Sequence, residues 1–329
     1  MVTPRSVPPR SRVFPRTNWR VSEVGYGTWG MAGWSGSDDA ESLDALEAAL
    51  ALGCNFIDTA AAYGAGHSER LVRRLLAGWR GGRVFVATKV PPKNGAWPAR
   101  ADSRLDDVFP PDHIRRMTVE SLENLGLDSL DLQQLHVWND AWAGDERWQR
   151  VVDDLKREGL IKAFGISVNR LEPTNVLKAL GTGLIDCVQV VYNIFDQNPE
   201  DELFPACRAL DVAVVARVPF DEGSLTGTLT VDTTFPPDDW RSQYFERHHL
   251  RATVERVARL TDVLPPGMTL PELALRFILE HPAVTTTIPG MRRRHHVEAN
   301  LLASDGRRLP AELLAELRKH RWNRAPGRW

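Results

Sequence analysis

From about residue 21 onward, short apolar runs alternate with longer stretches of helical spacing. Eight runs read as strands: VGYGTW (24–29), NFIDTA (55–60), VFVATK (84–89), DLQQLH (131–136), AFGIS (163–167), CVQVVYN (187–193), VAVVARV (212–218) and TTTIPG (285–290). Helices fill the gaps. Over 40–52, Leu43, Leu46 and Leu50 share one stripe, and Gly53 stands where a helix ends. Residues 68–77 carry Leu71, Val72, Leu75 and Leu76 after Ser68; further helices are expected from about Asp112 to Gly126 and over 145–158, ahead of Gly159. Pro173 stands as a first-turn proline, and Thr269 with Glu272 reads as a capping box.

Strands alternating with helices predict parallel βα units. Short right-handed connections allow an open doubly wound sheet or a closed (β/α)8 barrel, and eight units at this length favour the barrel. The expected architecture is α/β, a single-domain TIM barrel over residues 16–329. A loose tail is expected over 1–15, where the sequence is basic and proline-rich. The longest irregular stretch, 220–245, is more often functional than idle in a compact domain.

Composition narrows the function classes. The chain has 329 residues, 43% hydrophobic and 26% charged, enough to bury a full core. Its net charge of −2 argues against nucleic acid or an anionic membrane as a partner. No apolar run is long enough for a bilayer, and the N-terminus lacks the apolar core of a secretory signal, so a cytoplasmic protein is expected. Cys54, Cys187 and Cys207 lack metal-ligand spacing and read as small buried fillers in a reducing compartment.

Barrel enzymes carry their chemistry at the C-terminal strand ends. Asp58, Lys89 and His136 each end a strand here, and Tyr63 lies in the loop after Asp58. Singly, each has an ordinary explanation as a cap, a solvated edge, a structural group or a loop anchor. Together they would be four coincidences at one mouth. They also fit carbonyl reduction, in which the carbonyl oxygen needs a proton. A phenol gives one up reluctantly at its usual pKa of about 10. A nearby ammonium favours phenolate, a carboxylate fixes that ammonium, and a neutral imidazole orients the carbonyl.

At this point the sequence resembles the aldo-keto reductase family. The segments GCNFIDTAAAYGAGHSERLVRRLL, FVATK, SLENLGLDSLDLQQLHVW and TTTIPGMRRRHHVEANL carry the likeness, which runs from about residue 16 to 303. The resemblance implies an NADPH-dependent reductase on a (β/α)8 barrel acting on a small-molecule carbonyl substrate. In that reading Tyr63 is the general acid, tuned by Lys89 and Asp58, and His136 orients the substrate. It also implies NADP(H) contacts. Gly27, Thr28, Trp29 and Asp58 would lie by the nicotinamide ribose, and Ser167 and Gln189 by the carboxamide. Arg217, Val218, Pro219 and Leu225 would lie under the ring and along the pyrophosphate. Gly290, Arg292, His296 and Asn300 would lie around the adenosine 2′-phosphate. The chain departs from the family where Val168 separates Ser167 from Asn169, and where Arg217 replaces a common aromatic ring. An arginine plane can also stack.

Trp34, Trp97 and Trp138, with Trp29 and Trp142, read as an aromatic-walled substrate pocket, with Trp240 in the long loop able to close over it. GYGTWG (25–30) formally matches G-x-G-x-x-G but does not open a helix directly, so it is a decoy. The pairs His248-His249 and His295-His296 lack completing ligands, and no metal is expected. A monomer or weak homo-oligomer is expected. Two other readings stand beside the reductase: an NADPH-binding redox sensor with slow turnover, and a dehydrogenase run in the oxidative direction.

Overall fold

A computed structural model describes residues 8–33 and 36–324. Strands β1 (Ser11–Phe14) and β2 (Trp19–Ser22) form an antiparallel hairpin, with Ser11 opposite Ser22 and Phe14 opposite Trp19. The remaining strands are β3 (Tyr26–Gly27), β4 (Phe56–Asp58), β5 (Phe85–Val90), β6 (Leu130–Leu135), β7 (Ile161–Ser167), β8 (Cys187–Val191), β9 (Ala213–Arg217) and β10 (Val284–Thr287). They make one parallel sheet in sequence order. Parallel bridges Val24–Thr287 and Gly27–Gly290 join its last strand to its first and close the barrel. The expected eight-stranded α/β barrel is therefore present.

Alternation along each strand places one residue in two inside the barrel. Phe56, Phe85, Ala87, Leu132, Ala163, Cys187, Ala213 and Val215 form an interior apolar cluster. Ile57, Val86, Leu135, Phe164, Ile166, Val188 and Val214 belong to the larger cluster between strands and helices. The hairpin belongs to the interior cluster: Phe14 stacks on Phe56 with centroids 6.5 Å apart, and Trp19 on Phe85 at 5.1 Å. It plugs the end where the strands begin. The tail expected over 1–15 is thus corrected: Ser11–Phe14 is a paired strand, tied down because its aromatic residues fill the barrel floor. Residues 1–7 lie outside the described residues.

Helices form largely where the pattern puts them. Asp38 caps the helix Asp39–Ala51, accepting from the Glu41 N–H, and Gly53 takes φ +100° just beyond its end. Pro111–Leu125 ends at left-handed Gly126. Thr269 caps Leu270–Glu280 by accepting from the Glu272 N–H, but the Glu272 side chain turns to Arg276, so only half of the capping box forms. The helix expected at Pro173 is corrected: only Leu177–Leu180 is helical. The Glu172 carboxylate takes the Asn169 and Asn175 amides, and Asp140 takes the N–H groups of Lys178 and Ala179. Side chains compete with helical bonds over the first turn and cap the second. No helix among the described residues is long and apolar enough to cross a membrane.

Candidate active site

The interior face changes character along the strands. Apolar at the floor, it becomes polar at the rim, where Asp58, Lys89, Gln134, His136, Ser167, Gln189 and Arg217 follow the apolar residues two positions at a time. Adjacent strands bring them together. Gly27 pairs with Asp58, Lys89 with Gln134, and Ser167 with Gln189. A side chain is excluded at Gly27, where a Cβ would sit 2.7 Å from the Ile288 carbonyl oxygen.

Lys89 is fully buried and donates to Asp58 Oδ1 at 2.5 Å and to the Thr59 carbonyl at 2.7 Å. Asp58 Oδ2 accepts from Gln189 Nε2 at 2.7 Å and from Gln134 Nε2 at 3.5 Å. The Lys89 ammonium lies 5.1 Å from the centre of the Tyr63 ring, close enough for its charge to act on the phenol. The Tyr63 and His136 rings meet edge to face, centroids 5.6 Å apart, and Trp97 packs on the other side of His136 at 4.5 Å. Asp58, Tyr63, Lys89 and His136 are thus brought together as the sequence anticipated.

The electrostatics adjust the expectation. Burial raises the Tyr63 pKa, the Lys89 charge lowers it and Asp58 raises it; the outcome lies above 10, so the phenol is held protonated. Burial opposes the Lys89 ammonium, but the Asp58 and Tyr63 contacts outweigh it and raise its pKa. Burial first, then Lys89 and Arg217, holds His136 well below the usual histidine range. The imidazole is neutral, and its buried Nδ1 has no hydrogen-bond partner among the described residues.

The other expected residues are placed unevenly. Trp29 is 39% and Trp97 48% exposed at the rim. Trp138 is corrected: it is 0% exposed, packed edge to face against Trp142 and Trp148, with its indole N–H given to Asp140. Trp142 is buried in the same cluster. These rings fill space between strands and helices and have no face to offer a substrate. Trp34 lies outside the described residues. Trp240 is tied to Glu222 through its indole N–H and packs on Tyr244, centroids 5.0 Å apart.

Among the cofactor candidates, Ser167 is buried at the rim, and the Gln189 side chain is engaged by Asp58. Thr28 is buried and gives its hydroxyl to the Asp58 carbonyl at 3.1 Å, so it braces the strand end. Arg217 donates from Nη2 to the Val168 carbonyl at 2.9 Å. Val218 takes φ +56°, costly for a β-branched residue, and Pro219 is buried beside it. Leu225 is corrected: its side chain is wholly buried and its N–H is bonded to the Phe220 carbonyl, so it supports the loop from beneath. Gly290 is exposed at the end of β10, and a Cβ there would meet nothing within 4 Å. Arg292 runs along Gly30, whose Cβ would lie 3.1 Å from Arg292 Cδ. Its neighbours are engaged by the helix Asp39–Ala51 and its own helix: Arg293 by Glu41, and Arg294 by Asp44 and Glu298. His296 is exposed and Asn300 buried.

Two features escaped the sequence. Gln134 is one, legible only as the interior neighbour of His136. The other is a buried ion cluster. Arg324 bonds Asp196 and Asp221, Arg170 bonds Asp221 and Glu222, and the Tyr244 hydroxyl donates to Asp221 at 2.6 Å. Burial pushes the Asp221 carboxyl up, but Arg324 and Arg170 bring it down to about 2.

The profile of the Aldo/keto reductase family matches residues 23–321. Aldo-keto reductase YhdN of Bacillus subtilis is 29% identical over 293 residues, covering 86% of this chain and 85% of its own. NADH-specific methylglyoxal reductase of Escherichia coli is 29% identical over 301 residues, covering 87% of this chain and 91% of its own. The holo form of aldo-keto reductase AKR11C1 from Bacillus halodurans superposes with a TM-score of 0.76 at 27% identity, covering 97% of this chain and 99% of that one.

Proposed function

This chain belongs to the aldo/keto reductase family, and we propose that it reduces an aldehyde or ketone to the alcohol with NADPH, Tyr63 giving the proton. The observation that carries this reading is the contact set at the open rim. A protonated phenol has a buried ammonium 5.1 Å from its ring centre, that ammonium is itself 2.5 Å from a carboxylate, and a neutral imidazole packs on the phenol ring.

A carbonyl oxygen bonded to the Tyr63 hydroxyl receives its proton as negative charge builds on it. The phenolate left behind faces the Lys89 ammonium, which lowers the energy of that state where water is scarce. Asp58 keeps Lys89 charged, and Gln189 and Gln134 keep Asp58 in place. Neutral His136 donates a hydrogen bond to the same oxygen and fixes the carbonyl against Tyr63. Trp97, exposed beside His136, offers an apolar face to the substrate.

The rim fits a dinucleotide. Exposed Gly290, Trp29 and the Arg292 chain form a ledge at the ends of β3 and β10, and the buried Arg217 Nε has no partner among the described residues. Gly27, Thr28, Trp29, Asp58, Ser167, Gln189, Arg217, Val218 and Pro219 would hold the nicotinamide half. Gly290, Arg292, His296 and Asn300 would hold the adenosine half. When bound, NADPH supplies hydride to the carbonyl carbon. Arg292 is the residue for the 2′-phosphate, because a guanidinium fork suits phosphate and its side chain runs along Gly30 beside that ledge. Absorbance of the reduced nicotinamide, followed over a panel of aldehydes and ketones, tests the activity. Tyr63→Phe should lower turnover by about 10²-fold or more, the scale of a lost general acid, with NADPH affinity retained. Undiminished turnover would refute the acid assignment.

A further inference from the structure

Arg217 ends β9 on the interior face, in register with Val191. One guanidinium nitrogen bonds the Val168 carbonyl, and Nε is buried without a hydrogen-bond partner among the described residues. Among those residues no carboxylate lies within 4.0 Å of it in an ion pair, whereas the nearby cations Lys89 and Arg170 both have one. The acids within electrostatic reach, Asp58 and Glu222, are bonded to Lys89 and Arg170. Arginine keeps its charge even when buried. Among the described residues, Arg217 is therefore a rim cation that neighbouring side chains leave weakly compensated, within electrostatic reach of both Tyr63 and His136.

Hydride transfer fixes where a cofactor ring must lie. Reacting carbons approach to about 3–3.5 Å, so the ring borders the carbonyl held by Tyr63 and falls within the field of Arg217. The dihydropyridine of NADPH is neutral. Loss of hydride, with its two electrons, to the carbonyl carbon leaves a pyridinium cation, while the carbonyl oxygen takes the Tyr63 proton.

We propose that Arg217 is a charge selector at this site, favouring the neutral reduced nicotinamide and repelling the cationic oxidised one. This rests on the reading of the site as a nicotinamide-dependent reductase. NADP+ then leaves more readily than NADPH, which shortens product release. The bound couple also lies toward NADPH, so bound NADP+ is a stronger hydride acceptor than free NADP+. The preference acts on the ring alone. The ringless fragment, ADP-ribose 2′-phosphate, should bind about as tightly in the Arg217→Gln variant as in the unaltered protein.

The test is equilibrium binding of NADPH, NADP+ and ADP-ribose 2′-phosphate to the full chain, read by tryptophan quenching and NADPH fluorescence. In the unaltered protein NADPH should bind at least about tenfold tighter than NADP+, a ratio equivalent to about 1.4 kcal/mol. Arg217→Lys should largely keep that ratio. Arg217→Gln should bring it close to one, chiefly by tightening NADP+. Equal binding of both cofactors by the unaltered protein overturns the proposal without any variant. So does a ratio that Arg217→Gln leaves unchanged, which would mark Arg217 as a structural group or a partner for a substrate anion. Failure of the unaltered protein to bind any of the three would instead remove the reductase reading beneath it.

Discussion

At the scale of single residues, the rim works by opposition between burial and charge. Burial alone would weaken the Lys89 ammonium, yet the Asp58 contact reverses the direction. Burial also outweighs the Lys89 charge at Tyr63, leaving the phenol a stored proton. For His136, burial and two cations act the same way. These directions predict a pH profile. Protonation of His136 would add a third buried cation beside Lys89 and Arg217 and occurs only well below 6.5, and the Tyr63 proton is lost only above about 10. The kcat/KM for carbonyl reduction should therefore be flat from about pH 6.5 to 9. An acid limb centred near 6.5 that His136→Asn abolishes would contradict the neutral-imidazole assignment.

At the scale of elements, the hairpin β1–β2 gives the barrel its polarity. By filling the floor it leaves the opposite end as the open one. Arg12 reinforces it, bonding Glu23 at 2.8 Å and the His281 carbonyl at 3.0 Å, at the base of β10. Phe14→Ala should lower unfolding free energy by about 3–5 kcal/mol, the usual loss for a buried phenylalanine, measured by urea titration. A cost under about 1 kcal/mol would show that the hairpin lies against the barrel without supporting it. The eight strands were legible because each was an apolar run between helix signals. The hairpin was not, because SRVF and WRVS are short, each carries an arginine, prolines stand before and between them, and only their fit into the floor distinguishes them from a tail. Pro173 misled for the opposite reason: a helix-start residue was outvoted by Glu172 and Asp140 binding nearby backbone and amides.

At the scale of the whole molecule, the Arg324 cluster joins four distant stretches of chain. Arg170 follows β7, Asp196 follows β8, Asp221, Glu222 and Tyr244 bound the long segment after β9, and Arg324 comes from the C-terminal end. That segment leads directly from Val218 and Pro219, so its anchorage reaches the rim. Arg324→Met should leave Asp196 and Asp221 short of a buried partner. It should cost about 3–5 kcal/mol, as breaking buried ion pairs does, and speed NADPH release in stopped-flow fluorescence. Unchanged stability together with unchanged release would show that the cluster does not hold the loop.

By itself, the sequence determined the barrel and the identity of the four rim residues, since alternation and strand order are local properties that fix which side chains face inward at which strand end. Only the tertiary structure decided the balance of charge. Whether Tyr63 ends as phenol or phenolate depends on how much water the fold removes. Gln189 turns to Asp58, Trp138 goes into the core, and Arg217 is left with weak compensation. Each outcome follows from distances between strands far apart in the chain, and desolvation and Coulomb energy depend on those distances rather than on residue order.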